Sequence, residues 1–528
     1  MKTNFRLSIL ALLITFSSCN KVDDIVETDA SLQAKSAKSS NFNVNFKYKT
    51  TIKVGGETAS EITAFDPQSK KLFVVNLELN QISVFDISDI DNPKEEAPLV
   101  LGSGTPNSVA VSKGLVAVAV EAAIKQDLGS IMLFEASSGT LLNSYQVGAL
   151  PDMVTFSPNG KYIVSANEGE PNSLYTVDPK GSISIIEIIA GTTTTLYFDD
   201  FNSQQSMLEA GGFRVFGPNA TLAMDVEPEY VAISDNSRYA WVTLQENNGV
   251  AKINLETKQI ETIYPLGFKD YNLIGNEIDA SDDDGIKALN NWPVYGIYMP
   301  DAIKYIKVNG MDYLITANEG DAREYIDNKG TDDEDDDEEV FVEEARVKNL
   351  DLDPIAFPNA AFLQEDENLG RLKITKTLGD TDGDGDYDEL YSFGARSFTV
   401  WTGNGQMVYD SGNDIALQTL NLTPDRFNDG DGRSDDKGAE PESVEVLTIQ
   451  GNKHVLFVGL ERNDQIMVYD ISNPASPIFL DILSHDGDEG PEGLISIPSK
   501  DSPNGKDLLI VSNEDSGTVT IYENNQKD

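Results

Sequence analysis

PDMVTFSPNGKYIVSANEGEP, residues 151–171, reads as two short β-strands joined by a tight turn. Residues 152–156 and 162–166 alternate in polarity and are rich in β-branched side chains, while SPNG at 157–160 supplies turn formers. The opening, a proline followed by an acidic or amide residue, any residue and an apolar one, returns as PNSV at 106, PEYV at 228, PDAI at 300, PESV at 441 and PEGL at 491. ASEI at 59 is a degenerate seventh copy.

An apolar run follows each opening, at 71–75, 115–120, 162–164, 240–242, 313–315, 455–458 and 508–511. Third strands ending in an aromatic residue and an acid stand at 82–86, 131–135, 466–470 and 519–523. A unit of about 45 residues with three or four short strands cannot bury its own faces, and radial stacking of such units makes a propeller. The expectation is therefore an all-β chain, a seven-bladed β-propeller with long acidic insertion loops. An eighth blade within the long 300–441 gap is the alternative count. Seven is preferred because ARSFTVW at 395–401 and QMVYD at 406–410 can serve as outer strands of the fifth unit. One propeller domain is expected over 46–528, with insertions at about 179–225, 256–298, 322–395 and 403–440. The isolated alternating segment at 45–53 is expected to close the ring against the last blade.

Every unit ends its second strand with a glutamate: Glu78, Glu121, Glu168, Glu246, Glu319, Glu461 and Glu514. In antiparallel neighbours that end lies on the same edge as the start of the first strand. The opening acids Asp152, Glu229, Asp301, Glu442 and Glu492 are therefore expected to join these glutamates around a central tunnel mouth. So many carboxylates near one axis raise one another's pKa or require cations. The bland alternative is that each glutamate braces a loop by accepting backbone N–H bonds.

DTDGDGDYD at 380–388 is the sharpest local motif. Asp380, Asp382, Asp384 and Asp388 provide oxygens at positions 1, 3, 5 and 9, with the carbonyl of Asp386 at 7 and Gly385 at 6, a pattern that wraps calcium. Tyr391 at position 12 departs from a complete EF-hand. Residues 279–285 and 428–433 are weaker candidates, and the acidic run 332–339 reads as a solvated loop. Only His454 and His485 are present, so histidine-rich zinc or haem sites are not expected. His454 reads as structural, and His485 as a residue that could reach the mouth.

Lys2 and Arg6 precede an apolar run at 7–16 and then Ser17, Ser18 and Cys19, the order of an export signal too short to span a bilayer. Cys19 is the only cysteine of 528 residues, which excludes an intrachain disulfide. Its setting resembles a bacterial lipobox, implying a lipidated Cys19 as the mature N-terminus; an ordinary cleaved signal with an incidental cysteine is the alternative. Asn20 at the next position favours an outer-membrane lipoprotein, and Asp23 and Asp24 point to surface exposure. Polar residues 20–45 read as a flexible tether. The net charge of −49 excludes nucleic acid as a natural partner and attracts cations, although solubility alone would also account for it.

YIVSANEGEP at 162–171, DVEPEY at 225–230, WPVYGIYMPD at 292–301, LITANEGDAR at 314–323, and residues 380–401 and 491–522 resemble the choice-of-anchor I family of bacterial surface proteins. The resemblance implies a propeller of the YVTN and WD-type group, held at the surface by one of several kinds of anchor; it carries over no catalytic residue. The leading expectation is a non-enzymatic, calcium-stabilised surface module that binds a protein, polysaccharide or small polar ligand outside the cell. The alternative is a calcium-dependent phosphoesterase, alkaline phosphatase-like or phytase-like. Its metals would sit among Glu168, Glu319 and Asp321, with Arg323 or Arg396 steadying a phosphate.

Overall fold

The computed structural model describes residues 44–329, 337–449 and 453–526. The signal segment 1–19 with Cys19, residues 20–43 of the tether and most of the acidic run 332–339 lie outside the described residues. At 151–171 the strands Pro151–Phe156 and Tyr162–Asn167 pair antiparallel. Their turn is fastened by Ser157, whose hydroxyl oxygen accepts from the Tyr162 N–H at 2.9 Å.

The proline of the opening has a structural role in five units. Pro151 pairs with Asn167 and Val154 with Ser165, so the register shifts between them and Asp152 and Met153 leave the ladder. A register shift also follows Pro106, Pro228, Pro441 and Pro491. Proline has no N–H to give a ladder, so it suits the first position of a strand, and a bulge bends the strand end and re-aims its side chains. In these units the opening is a device for turning one polar side chain out of the inner strand.

The chain is all-β. Among the described residues seven sheets have four strands, all antiparallel. In the third unit the order is Pro151–Phe156, Tyr162–Asn167, Ser182–Glu187 and Thr192–Tyr197. The fifth sheet is interrupted: Ile303–Val308 and Met311–Asn318 are completed by Ser397–Thr402 and Met407–Asp410. In the last, Phe46–Lys53 is the outermost strand, paired with Thr518–Asn524, as expected for a closing segment. The first strands of successive sheets touch one another, and that of the last sheet touches that of the first. Sheets arranged around an axis in this way form a β-propeller.

The hydrophobic core is divided in the same cyclic manner. Ile163 packs toward the preceding sheet, with Ile131 and Ala117, while Tyr162, Val164 and Ala166 pack toward the following one, with Val231 and Val242. Period-two alternation therefore supplies two buried faces per strand, and each buried Ile or Val stabilises by about 1.5–3 kcal/mol. Ile52, Leu72, Val74, Leu508 and Ile510 make the corresponding cluster between last and first sheets.

The insertions were placed too widely from sequence. Ser182–Glu187, Thr192–Tyr197 and Gln259–Pro265 are outer strands of sheets, yet fall within 179–225 and 256–298. TTTTLY at 192–197 is half-exposed along its length, so an outermost strand of this kind carries no apolar period to recognise. The segments that do leave the four-stranded sheets include 266–302, 320–329 and 337–396. They fold onto each other around Tyr271, Val294, Phe357, Leu369 and Leu390. No helix among the described residues is long and apolar enough to cross a membrane.

Candidate functional site

The opening side chains converge, five from bulged strand ends and two, Glu61 and Asp301, from just before strands without a bulge. Glu61, Asn107, Asp152, Glu229, Asp301, Glu442 and Glu492, one from the opening of each sheet, all line a single cavity of about 460 Å³. Glu168, Glu246 and Glu319 reach it from the ends of second strands, joined by Glu170, Glu227, Asp321, Lys125 and Arg323. Ile62, Ser108, Met153 and Tyr230 also line it, and the same four residues line a second, less polar cavity of about 360 Å³. They mark where the acidic funnel adjoins that cavity.

Sequence reading found most of this rim. It missed Glu61, because that opening lacks a proline and the acid sits one place later than the other copies suggest. The signal was available in the spacing to the core: Glu61, Asp152, Glu229, Glu442 and Glu492 each stand two residues before the first inward ladder residue, Thr63, Val154, Val231, Val444 and Leu494. Glu170, Glu227 and Lys125 come from loops with no repeat to mark them. Of the second-strand glutamates, Glu78, Glu121, Glu461 and Glu514 are not among the lining residues. Glu78 instead accepts the Gly56 N–H at 2.6 Å, which is the loop-bracing role offered as the alternative.

Burial is the first cause of the electrostatics here, with mutual repulsion second. Together they push Asp152 up to about 7, and hold Glu61, Glu168, Glu229, Asp301, Glu442 and Glu492 well above the ordinary carboxylate range. Burial also raises Glu246, Glu319 and Glu514, lifts Asp321 to about 6 and Glu461 to about 8. A group of carboxylates in little water either keeps protons or takes a cation.

Two triads stand out in and around this funnel. Asp152, Glu168 and Glu229 each offer a carboxylate oxygen within 4.8 Å of the others, and so do Glu319, Glu442 and Glu461. The second is furnished with cations and donors by the chain. Lys437 Nζ donates to Glu319 at 2.8 Å and lies 3.4 Å from Glu440, Gln245 Nε2 donates to the other Glu319 oxygen at 2.8 Å, and Arg462 pairs with Glu461 at 2.9 Å.

Both candidate arginines commit their terminal nitrogens to acceptors of the chain, and the remaining Nε of Arg396 is buried. Arg323 Nε donates to Glu227 at 3.0 Å, and its terminal nitrogens donate to the Asp225 carboxylate at 2.8 Å and carbonyl at 2.7 Å. Arg396 donates to the carbonyls of Asp279, Ser434 and Asp436 at 2.6–2.9 Å and lies outside the funnel lining. Neither offers a free guanidinium edge to a phosphate. His454 hydrogen-bonds Thr448 at 3.0 Å between the first two strands of the sixth sheet. His485 stacks on Tyr48 of the outermost strand, with centroids 3.9 Å apart. It belongs to the outer edge, not to the mouth.

The 380–388 loop folds on itself. Asp380 accepts the N–H groups of Gly383 and Gly385 at 2.7 and 3.1 Å, and Asp388 accepts the Thr381 N–H at 2.9 Å. Asp380, Asp382 and Asp388 bring oxygens within 4.8 Å of one another, and Asp386 does so with Asp388 and Asp353 from a neighbouring segment. Asp384 is in neither group. Of the weaker candidates, Asp282 is paired with Arg371, and Asp431 accepts from Ser434 at 2.8 Å.

A family model described as the choice-of-anchor I domain matches residues 61–474. Gigasin-3a from Magallana gigas is 30% identical over 193 residues, spanning 30% of this chain and 66% of that relative's length. Among solved structures, hydrazine synthase from Kuenenia stuttgartiensis is 12% identical with a TM-score of 0.46, covering 90% of this chain and 98% of the other. The Cps50 (Swd1) β-propeller domain of Myceliophteria thermophila is 7% identical with a TM-score of 0.45, covering 90% and 99%.

Proposed function

The chain belongs to the choice-of-anchor I family, and from that premise we propose that it is a seven-bladed propeller displayed on the cell surface as a binding module. Its acidic funnel engages a positively charged group, either a free cation or a basic segment of a partner. Seven four-stranded sheets with mutually touching inner strands support the blade count. The observation that carries the binding reading is the convergence of the seven opening side chains, six of them acids, on one cavity. Loops braced for architecture alone would have no need to desolvate those acids together.

Export and lipidation of Cys19, followed by the polar tether, place the module outside the outer membrane in this reading. Cys19→Ser is expected to move the chain from the membrane fraction to the soluble fraction on cell fractionation. Calcium at the 380–388 loop stabilises the large insertion. The engagement of Arg323 and Arg396 by carboxylates and carbonyls speaks against the phosphoesterase alternative, which needs a free cationic side chain for phosphate. A net charge of −49 turns polyanionic partners away.

The test uses a decalysine peptide as probe, with binding followed by calorimetry at fixed salt. Neutralising Asp301, Glu442 and Glu492 by Asn and Gln is expected to weaken binding at least tenfold. Neutralising the exposed Asp199, Asp200 and Glu209, which are outside the funnel lining, removes the same charge and is expected to weaken it less than twofold. Equal losses in both variants would reduce the interaction to diffuse surface charge.

A further inference from the structure

We propose that Asp152, Glu168 and Glu229 form a divalent-cation site, filled by calcium, on one wall of the funnel. The inference rests on the reading of the funnel as the ligand site and names what that site takes first. Two observations beyond the acidity carry it.

The first is the contrast between the triads. Around Glu319, Glu442 and Glu461 the chain provides a tethered ammonium from Lys437, an amide from Gln245 and a guanidinium from Arg462. Around Asp152, Glu168 and Glu229, no hydrogen bond or ion pair among the described residues reaches a carboxylate oxygen. The nearby Lys125 is ion-paired with Glu170 and acts on Asp152 only through space. One wall receives direct contacts from cationic side chains of the chain, and the other, with three carboxylates equally close, receives none.

The second is Glu246. Its side chain lines the same cavity, the residue is 7% exposed, and its Oε2 is buried with no hydrogen-bond partner. Repulsion from Glu246 is felt by Asp152, Glu168 and Glu229 alike, so its charge acts on the triad across the cavity they share. A buried, unpartnered carboxylate oxygen costs free energy unless a charge meets it. A cation on the triad meets it.

The donors are carboxylate oxygens only, which selects a hard cation. Their oxygens all lie within 4.8 Å of one another, close enough for three to reach one ion; calcium accepts such oxygens at about 2.4 Å in irregular geometry, whereas magnesium demands about 2.1 Å and a near-octahedral shell.

Calcium calorimetry on the full chain tests this, in a background where Asp380→Asn and Asp382→Asn have disabled the exposed loop. One calcium per chain is expected to remain. Glu168→Gln and Glu229→Gln are each expected to weaken it at least tenfold, Glu319→Gln less than threefold, and magnesium to bind at least tenfold more weakly. Asp152→Asn serves as a further variant should one of the others lose its near-ultraviolet circular dichroism. No calcium in the double-Asn background, or binding indifferent to all three triad substitutions, overturns the site. The same variants titrated with decalysine separate the two claims. Calcium binding indifferent to the triad substitutions, with decalysine binding still dependent on the funnel, refutes only the metal site, whereas indifference of both probes refutes the funnel reading itself.

Discussion

Arg323→Ala is expected to cost about 3–5 kcal/mol of unfolding free energy, the range found when one partner of a buried ion pair is removed. Arg323 is 4% exposed and its guanidinium is divided between Asp225, 2% exposed, and Glu227, 3% exposed. Burial works against its charge, but Glu227 and then Asp225 hold its pKa above the usual arginine value. The pair also ties distant parts together. Asp225 accepts from the N–H groups of Phe216 and Gly217, and Asn247 donates to the Asp225 carbonyl, so the loop before the fourth sheet is organised around this carboxylate. Phe216 lies beneath two guanidiniums, with Arg214 at 4.2 Å and Arg323 at 4.6 Å from its centroid.

Truncation at 323 would strand two buried carboxylates beside the already acidic funnel. Combining Arg323→Met with Asp225→Asn and Glu227→Gln is expected to recover at least half the loss, because removing all the charges together leaves none unpaired. Denaturation with guanidinium chloride reads both variants. A cost below about 1 kcal/mol for Arg323→Ala would mean that solvent reaches these groups, as at an exposed pair.

What could be read from the chain and what could not divides along burial. Middle strands such as Tyr162–Asn167 and Leu508–Asn513 are buried at every position, so their apolar runs stand out and the repeat is visible. Outermost strands such as Thr192–Tyr197 and Lys94–Leu99 are largely half-exposed or exposed and carry no comparable period. The acids of the funnel were legible because they ride on the repeat.

The arginines were not, because adjacency in sequence does not name a partner. Arg323 stands two residues from Asp321, but its guanidinium meets Asp225, 98 residues away. Lys437, which neutralises the second triad, comes from an insertion that no other unit shares. The distinction between one furnished triad and one open triad, on which the metal site depends, therefore exists only in three dimensions.

Stability against pH should carry the imprint of the funnel. Asp152 is pushed to about 7, Asp321 to about 6 and Glu461 to about 8, with burial the first cause in each, whereas in the unfolded chain such groups titrate near 4. The folded state then binds more protons than the unfolded state across this interval. The slope of stability with pH follows the unfolded minus the folded proton count, so it is negative. In the absence of calcium, stability present at pH 4 to 5 should be lost progressively as the pH rises toward 8. Calcium would replace the protons as they leave, and binding to the folded state alone raises stability by mass action.

Thermal unfolding from pH 5 to 8, with chelator and with millimolar calcium, tests the convergent, cation-seeking funnel most directly. The exposed loop is again disabled by Asp380→Asn and Asp382→Asn, and the same background carrying Glu168→Gln and Glu229→Gln is compared with one carrying the matched surface change Asp199→Asn and Asp200→Asn. The account predicts that the chelated background falls in melting temperature with rising pH, and that calcium raises it more at pH 8 than at pH 5. Both effects should shrink in the funnel variant and persist in the surface variant. A calcium response of equal size at both pH values, or one unchanged by Glu168→Gln and Glu229→Gln, would contradict it.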